Sequence, residues 1–139
     1  MGTAELDAAL GALSEFRREP PVLGVVLGSG LGAFADILSD AQVVAMSDIP
    51  NLAVPQVSGH AKNLVFGRIG SARLACFSGR VHAYEGHSID RVVLPVRLLA
   101  ALGCRAVLLT NAAGGIRDDL QPGDLMLISD HINLTGKIR

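Results

Sequence analysis

Leu6, Leu10, Leu13 and Phe16 recur at helical spacing in an otherwise polar stretch. That pattern predicts an amphipathic helix over 4–18, with Thr3 placed to cap it and Pro20-Pro21 to end it. Positions 22–27 are almost continuously apolar, the mark of a strand buried on both faces. A glycine turn at 28–32, a short helix over 33–38 and a strand over 42–45 are expected next. The stretch 47–59 holds two prolines and reads as loop. Apolar runs at 64–69 and 73–77 meet at Gly70-Ser71, which predicts a hairpin. Ser88 can cap a helix that runs to Leu102 and ends at Gly103, with Pro95 inside it expected to form a kink. A second buried strand is expected over 105–110, then a small-residue loop over 111–115, a turn over 121–124 and a final strand over 125–129.

Strands thus alternate with helices around a central hairpin. The expected class is α/β, a mixed, partly parallel sheet flanked by helices. The sequence shows no repeat, linker or low-complexity stretch, so 1–139 reads as a single domain.

Composition narrows the function. Half of the residues are hydrophobic, enough for a sizeable core, and with no Trp that core must be largely aliphatic. The net charge is −1 with basic residues scattered, which excludes the basic stripe of a nucleic-acid surface. Glu5 and Asp7 stand where a signal peptide needs positive charge, and the longest greasy stretch, 92–102, is interrupted by Pro95 and Arg97. The expectation is a cytoplasmic protein without a membrane partner. Cys76 and Cys104 are isolated and read as reduced thiols. His87 and His131 have no ligand spacing with other residues, so no metal site is expected.

In sheets of this kind ligands gather at loops leaving the C-terminal ends of strands. Gly28-Ser29-Gly30-Leu31-Gly32 and Asn111-Ala112-Ala113-Gly114-Gly115 both follow greasy strands. Glycines let backbone amides turn toward an anion, and Ser29 adds a hydroxyl donor. The bland alternative for each loop is a tight turn without a ligand. The first also fits Gly28-x-Gly30-x-x-Ala33, a loose dinucleotide fingerprint, with Asp48 near the distance of a ribose-binding acid. Between the two loops lies Arg80-Val81-His82-Ala83-Tyr84. In an extended chain Arg80, His82 and Tyr84 share one face, although an exposed polar strand edge would show the same alternation. Arg80 offers a planar fork for two phosphate oxygens, His82 a further donor, and Tyr84 a flat body for a sugar. Glu85 can orient His82 or stay solvated. His60, after Gly59, can reach an anion or cap its loop. The sequence has no GxxxxGK[ST] loop, no GxSxG elbow and no carboxylate pair suited to glycoside hydrolysis.

Taken together, five segments resemble the trimeric-type purine nucleoside phosphorylases. They are Gly28 to Gly32, Val57 to His60, Gly79 to Gly86, Thr110 to Gly115 and Gly123 to Asn133, in that order. The resemblance covers about 22–136. It implies reversible phosphorolysis of purine (deoxy)ribonucleosides, with inorganic phosphate as co-substrate and no other cofactor. It implies that Ser29, Arg80, His82 and the Ala112 amide bind phosphate, with His82 the catalytic residue and His60 closing over the anion. Tyr84 would lie near the ribose, and Ala112, Ala113 and Gly114 would line the purine pocket. A homotrimer is the implied assembly of a complete enzyme. The family is roughly twice this length, so the chain is expected to hold the N-terminal helix (1–20) and the phosphate- and ribose-binding half (21–136). The C-terminal half of the fold, with its purine-gripping groups, would be missing, and Lys137-Ile138-Arg139 departs from the pattern expected after Gly136. Weak or no activity is expected of the chain alone. Two alternatives stay open: a methylthioadenosine phosphorylase of the same family, and a non-catalytic phosphate-binding or subunit-interaction fragment. Preference among inosine, guanosine and xanthosine is not legible.

Overall fold

The structure is a computed structural model that describes residues 3–55 and 62–135. Five strands, β1 (Leu23–Val26), β2 (Ser39–Ala45), β3 (Asn63–Ile69), β4 (Ala72–Phe77) and β5 (Ala106–Leu109), form one sheet in the order β2-β3-β4-β1-β5. β2, β3 and β4 pair antiparallel, and β4, β1 and β5 pair parallel. The sheet is therefore mixed, as its pattern predicts. β3 and β4 are the expected hairpin, turning at Gly70 with φ of 58°.

Period-2 alternation divides the core in two. Val26, Leu64, Phe66, Ala75 and Phe77 point to the face covered by α1 (Thr3–Ala12) and α2 (Ile89–Ala101). Val25, Leu27, Val65, Leu74 and Cys76 point to the other face, where Ala35 and Leu38 cover them. Each fully buried Leu or Phe contributes roughly 1.5–3 kcal/mol over an exposed one, so the two layers together account for why β1, β3 and β4 are apolar almost throughout. α2 lies directly on β1: a Cβ at Gly24 would stand 2.7 Å from Leu99 Cδ1.

Two expectations are corrected. The first helix stops at Ala12, and 14–17 tightens into a 3-10 turn that carries Phe16 into a stack on Phe66, with centroids 3.9 Å apart. Gly11, in the last α turn, weakens the helix there. The stretch 125–129 is not a strand. A strand needs a neighbour for its backbone groups. None is present for this one among the described residues, and Leu125 and Leu127 stand almost fully exposed. Elsewhere the expected elements form within a few residues. Ser88 precedes α2, Pro95 lies buried inside it, and Gly103 follows with φ of 104°. Asp124 N–H donates to the Gln121 carbonyl across the expected turn, at 3.1 Å.

The two sheet edges differ. β2 carries a register shift between Ser39 and Gln42, a device that blunts edge pairing. Among the described residues β5 has only β1 as a partner, and its Leu108 and Leu109 are exposed, so the strand expected to be buried over 105–110 forms but is not buried, for want of a second neighbour.

Candidate functional site

Because β4, β1 and β5 run parallel and side by side, their C-terminal ends lie together, with Val26 opposite both Phe77 and Leu109. The three loops that leave this edge begin at Gly28, Ser78 and Thr110. They hold most of the candidate residues.

Thr110 joins all three. Its Oγ1 accepts the Gly28 N–H at 2.9 Å and reaches the Val26 carbonyl at 3.4 Å. Its own carbonyl accepts from Arg80 Nη1 at 2.7 Å. The approach is so close that a Cβ at Gly28 would lie 2.7 Å from the Thr110 carbonyl oxygen and 2.8 Å from Asn111 Cα. Gly28 is therefore a glycine because two strand ends press on it. Beyond it Gly30 takes φ of 81°, and Ser29 is left exposed at the rim.

Arg80 is half-buried, Val81 buried and His82 half-buried, so the extended alternation expected for this segment holds that far. It does not reach Tyr84. Ala83–Glu85 is a 3-10 turn, and Tyr84 returns to His82 by stacking, with centroids 4.8 Å apart and planes within 11°. The turn is locked by Glu85, whose Oε1 accepts the His82 N–H at 2.7 Å and lies 2.8 Å from His82 Nδ1. With Nδ1 donating to Glu85, the ring is held at a fixed tilt and Nε2 is left for a ligand, as an acceptor in the neutral ring and as a donor to an anion in the imidazolium. Tyr84 remains 79% exposed, its outer face open. Ala112, Ala113 and Gly114 are exposed in the loop after Thr110. His60 lies outside the described residues.

The hydrogen bond from His82 holds the Glu85 carboxyl below its ordinary value of 4.5. A carboxyl lowered by folding stabilises the fold in full above that ordinary value, and the contribution is lost as pH falls through the lowered one. The melting temperature of the chain should therefore drop below pH 4.5, and drop less in a Glu85→Gln variant. Thermal scans at pH 7 and pH 3.5 check this; equal drops in both proteins would refute it.

Among the described residues no group of three His, Cys, Asp or Glu side chains is placed to hold a metal, and no helix is long and apolar enough to cross a membrane. Burial pushes the Cys76 thiol up to about 12 and Cys104 to about 11, which removes both as nucleophiles near neutral pH. The dinucleotide reading does not fit. Gly32–Ile37 is a short 3-10 segment, and β2, which leads to Asp48, is an antiparallel edge strand far from β1 in the sheet. A concavity lined by Glu19, Asp40, Gln42, Arg68 and Arg73 lies at the other end of β4. There Glu19 already bridges Arg68 and Arg73, and with Asp40 the two arginines face two carboxylates, so that end offers no excess positive charge to an anion.

Sequence reasoning singled out the glycine turn, Arg80, His82, Tyr84 and the 111–115 loop, and named Glu85 as a partner for His82. It did not give Thr110 a role. A hydroxyl residue in the last position of a greasy strand, just before a small-residue loop, was the available signal.

A mixed sheet with loops at one edge of its parallel strands is the frame of a family whose model, described as "Phosphorylase superfamily", matches residues 22–139; the chain belongs to that family. Within it, the chain is 46% identical over 136 residues to "Purine nucleoside phosphorylase 1" of Geobacillus stearothermophilus, covering 98% of this chain and 50% of that protein. Among solved structures it is similar to isoform 2 of purine nucleoside phosphorylase from Schistosoma mansoni in complex with cytosine and ribose-1-phosphate. That match has a TM-score of 0.78 and 35% identity over 88% of this chain and 43% of the other. A Schistosoma mansoni purine nucleoside phosphorylase in complex with inosine matches with a TM-score of 0.77 and 32% identity, over 88% and 43%. The chain spans about half the length of the curated relatives it matches.

Proposed function

We propose that this chain carries the phosphate and ribose side of a purine nucleoside phosphorylase. The observation that carries the reading is the joint at Thr110, which pins Arg80 beside the glycine turn where three parallel strands end. Relatives solved with inosine and with ribose-1-phosphate support a nucleoside and phosphate as substrates. Relatives named as purine nucleoside phosphorylases favour that activity over methylthioadenosine cleavage.

In this reading 21–136 is the phosphate- and ribose-binding half. Ser29, Arg80, His82 and the Ala112 amide hold the phosphate, and His60 closes over it. The C1′–N9 bond of the nucleoside breaks with its electron pair going to the purine, which takes up a proton from solvent, balanced by the one the phosphate releases once it is bonded to the sugar. Positive charge builds on the ribose ring and is stabilised by the adjacent phosphate dianion, one of whose oxygens then bonds to C1′. The products are the free purine and a sugar 1-phosphate. Arg80 and His82 position the dianion and need form no covalent bond themselves; alignment of this kind supplies about 7–11 kcal/mol in well-oriented reactions. Tyr84 presents its open face to the ribose, and Ala112, Ala113 and Gly114 let the flat base approach the backbone. The same reading places the complete enzyme in the cytoplasm as a homotrimer.

These 139 residues alone should bind phosphate but turn over slowly. β5 and the loop after it stand exposed, so the base side of the site lacks cover. The test is to titrate the chain with inorganic phosphate by calorimetry and to follow hypoxanthine release from inosine plus phosphate. Phosphate binding with slow release is expected. No phosphate binding would overturn the reading, and turnover at an ordinary enzyme rate would overturn the claim of weakness.

A further inference from the structure

We infer that Thr110 is a positioning residue: its hydroxyl sets the spacing between the glycine turn and the Arg80 guanidinium. The inference rests on the reading of these loops as an oxyanion site. Three contacts carry it. Thr110 Oγ1 accepts from Gly28 N–H, it reaches back to the Val26 carbonyl, and the Thr110 carbonyl accepts from Arg80 Nη1. A hydroxyl is the side-chain group able to accept and donate at once in so small a space. The Thr110 N–H already holds the end of β5 to the Val26 carbonyl at 3.1 Å, and the hydroxyl ties that end to the glycine turn as well, across 82 residues of sequence to Gly28. With that end fixed, the carbonyl that Arg80 grips has one location. Arg80 spends one of its five N–H donors on this anchor, and its remaining donors are left on a guanidinium tethered at one nitrogen. Half-burial of both Thr110 and Arg80 keeps water from replacing these bonds freely.

Without the hydroxyl, Gly28 N–H loses its partner and the glycine turn loosens from Thr110, while Arg80 and its charge remain. The loss should therefore be smaller than that from removing Arg80 and should depend on Arg80 being present. Four variants of the chain decide the matter by calorimetric titration with inorganic phosphate: Thr110→Val, Thr110→Ser, Arg80→Ala, and Thr110→Val combined with Arg80→Ala.

Thr110→Val keeps the shape and should weaken phosphate binding about 3- to 10-fold, the range of one hydrogen bond. Thr110→Ser keeps the hydroxyl and should stay within about 2-fold of the parent, since its hydrogen bonds are retained. The double variant should bind more strongly than the product of the two single losses allows, because the residues act through one contact. Melting temperatures of all four, taken without phosphate, separate misfolding from misplacement. The inference is overturned if Thr110→Val binds like the parent, if Thr110→Ser loses as much as Thr110→Val, or if the two losses simply multiply. If Arg80→Ala itself leaves phosphate binding unchanged, the oxyanion site fails first, and the role of Thr110 fails with it.

Discussion

Alanine at position 80 is expected to reduce phosphate affinity by roughly 10- to 100-fold, the equivalent of losing charge-assisted hydrogen bonds worth about 1.5–3 kcal/mol. Arg80 is half-buried and already anchored on the Thr110 carbonyl, so little side-chain freedom is left to be lost when an anion binds. The variant also leaves that carbonyl without its arginine partner, which adds a modest loss of stability. Arg80→Lys should recover only part of the affinity: the ammonium keeps the charge but has no fork to span two oxygens. Calorimetric titration of parent, Arg80→Ala and Arg80→Lys with inorganic phosphate orders the three. Equal affinities in all of them would show that the anion binds elsewhere.

Gly28→Ala should have the largest effect of any single methyl added to the site. The new Cβ would fall 2.7 Å from the Thr110 carbonyl oxygen and 2.8 Å from Asn111 Cα, and both are backbone atoms that no rotamer change can move aside. The ends of β1 and β5 must part, and the Gly28–Thr110 hydrogen bond must stretch with them. Overpacking of this kind costs about 1–3 kcal/mol, which for a chain of this size lowers the melting temperature by roughly 5–10 °C. Phosphate binding should weaken as well, since the turn that presents Ser29 moves. Gly32→Ala is the control: a Cβ there meets nothing within 4 Å. Differential scanning of the two variants should separate them clearly. If they melt together, the close approach at Gly28 is not as tight as described.

Much of this architecture could be read from the chain before any coordinates. β1, the β3–β4 hairpin, α2 and β5 are apolar runs bounded by Gly or Pro, and such boundaries are local signals. The stretch 125–129 carries the same kind of apolar run and forms no strand, because strand formation depends on a neighbour that composition does not reveal. The extended run stops short of Tyr84 for a related reason. Alternation placed it on the face of Arg80 and His82, but the contacts of Glu85 with His82 bend the chain into a 3-10 turn just where the extended run was expected to continue. The joint at Thr110 was beyond local reading altogether. It links residues 30 and 82 positions apart, and only the strand order brings them together.

That strand order has a consequence for how the protein is made. β1 is the first strand to leave the ribosome, yet it lies between β4 and β5, both of which are synthesised later. Its apolar residues have no sheet neighbour until the hairpin has emerged, and its second edge stays open until the chain has passed Leu109. Such non-local pairing slows folding and prolongs the exposure of greasy segments. Synthesis that stalls between Phe77 and Leu109 would leave a nascent chain whose central strand is paired on one edge and open on the other, a natural client for chaperones that bind extended apolar peptide.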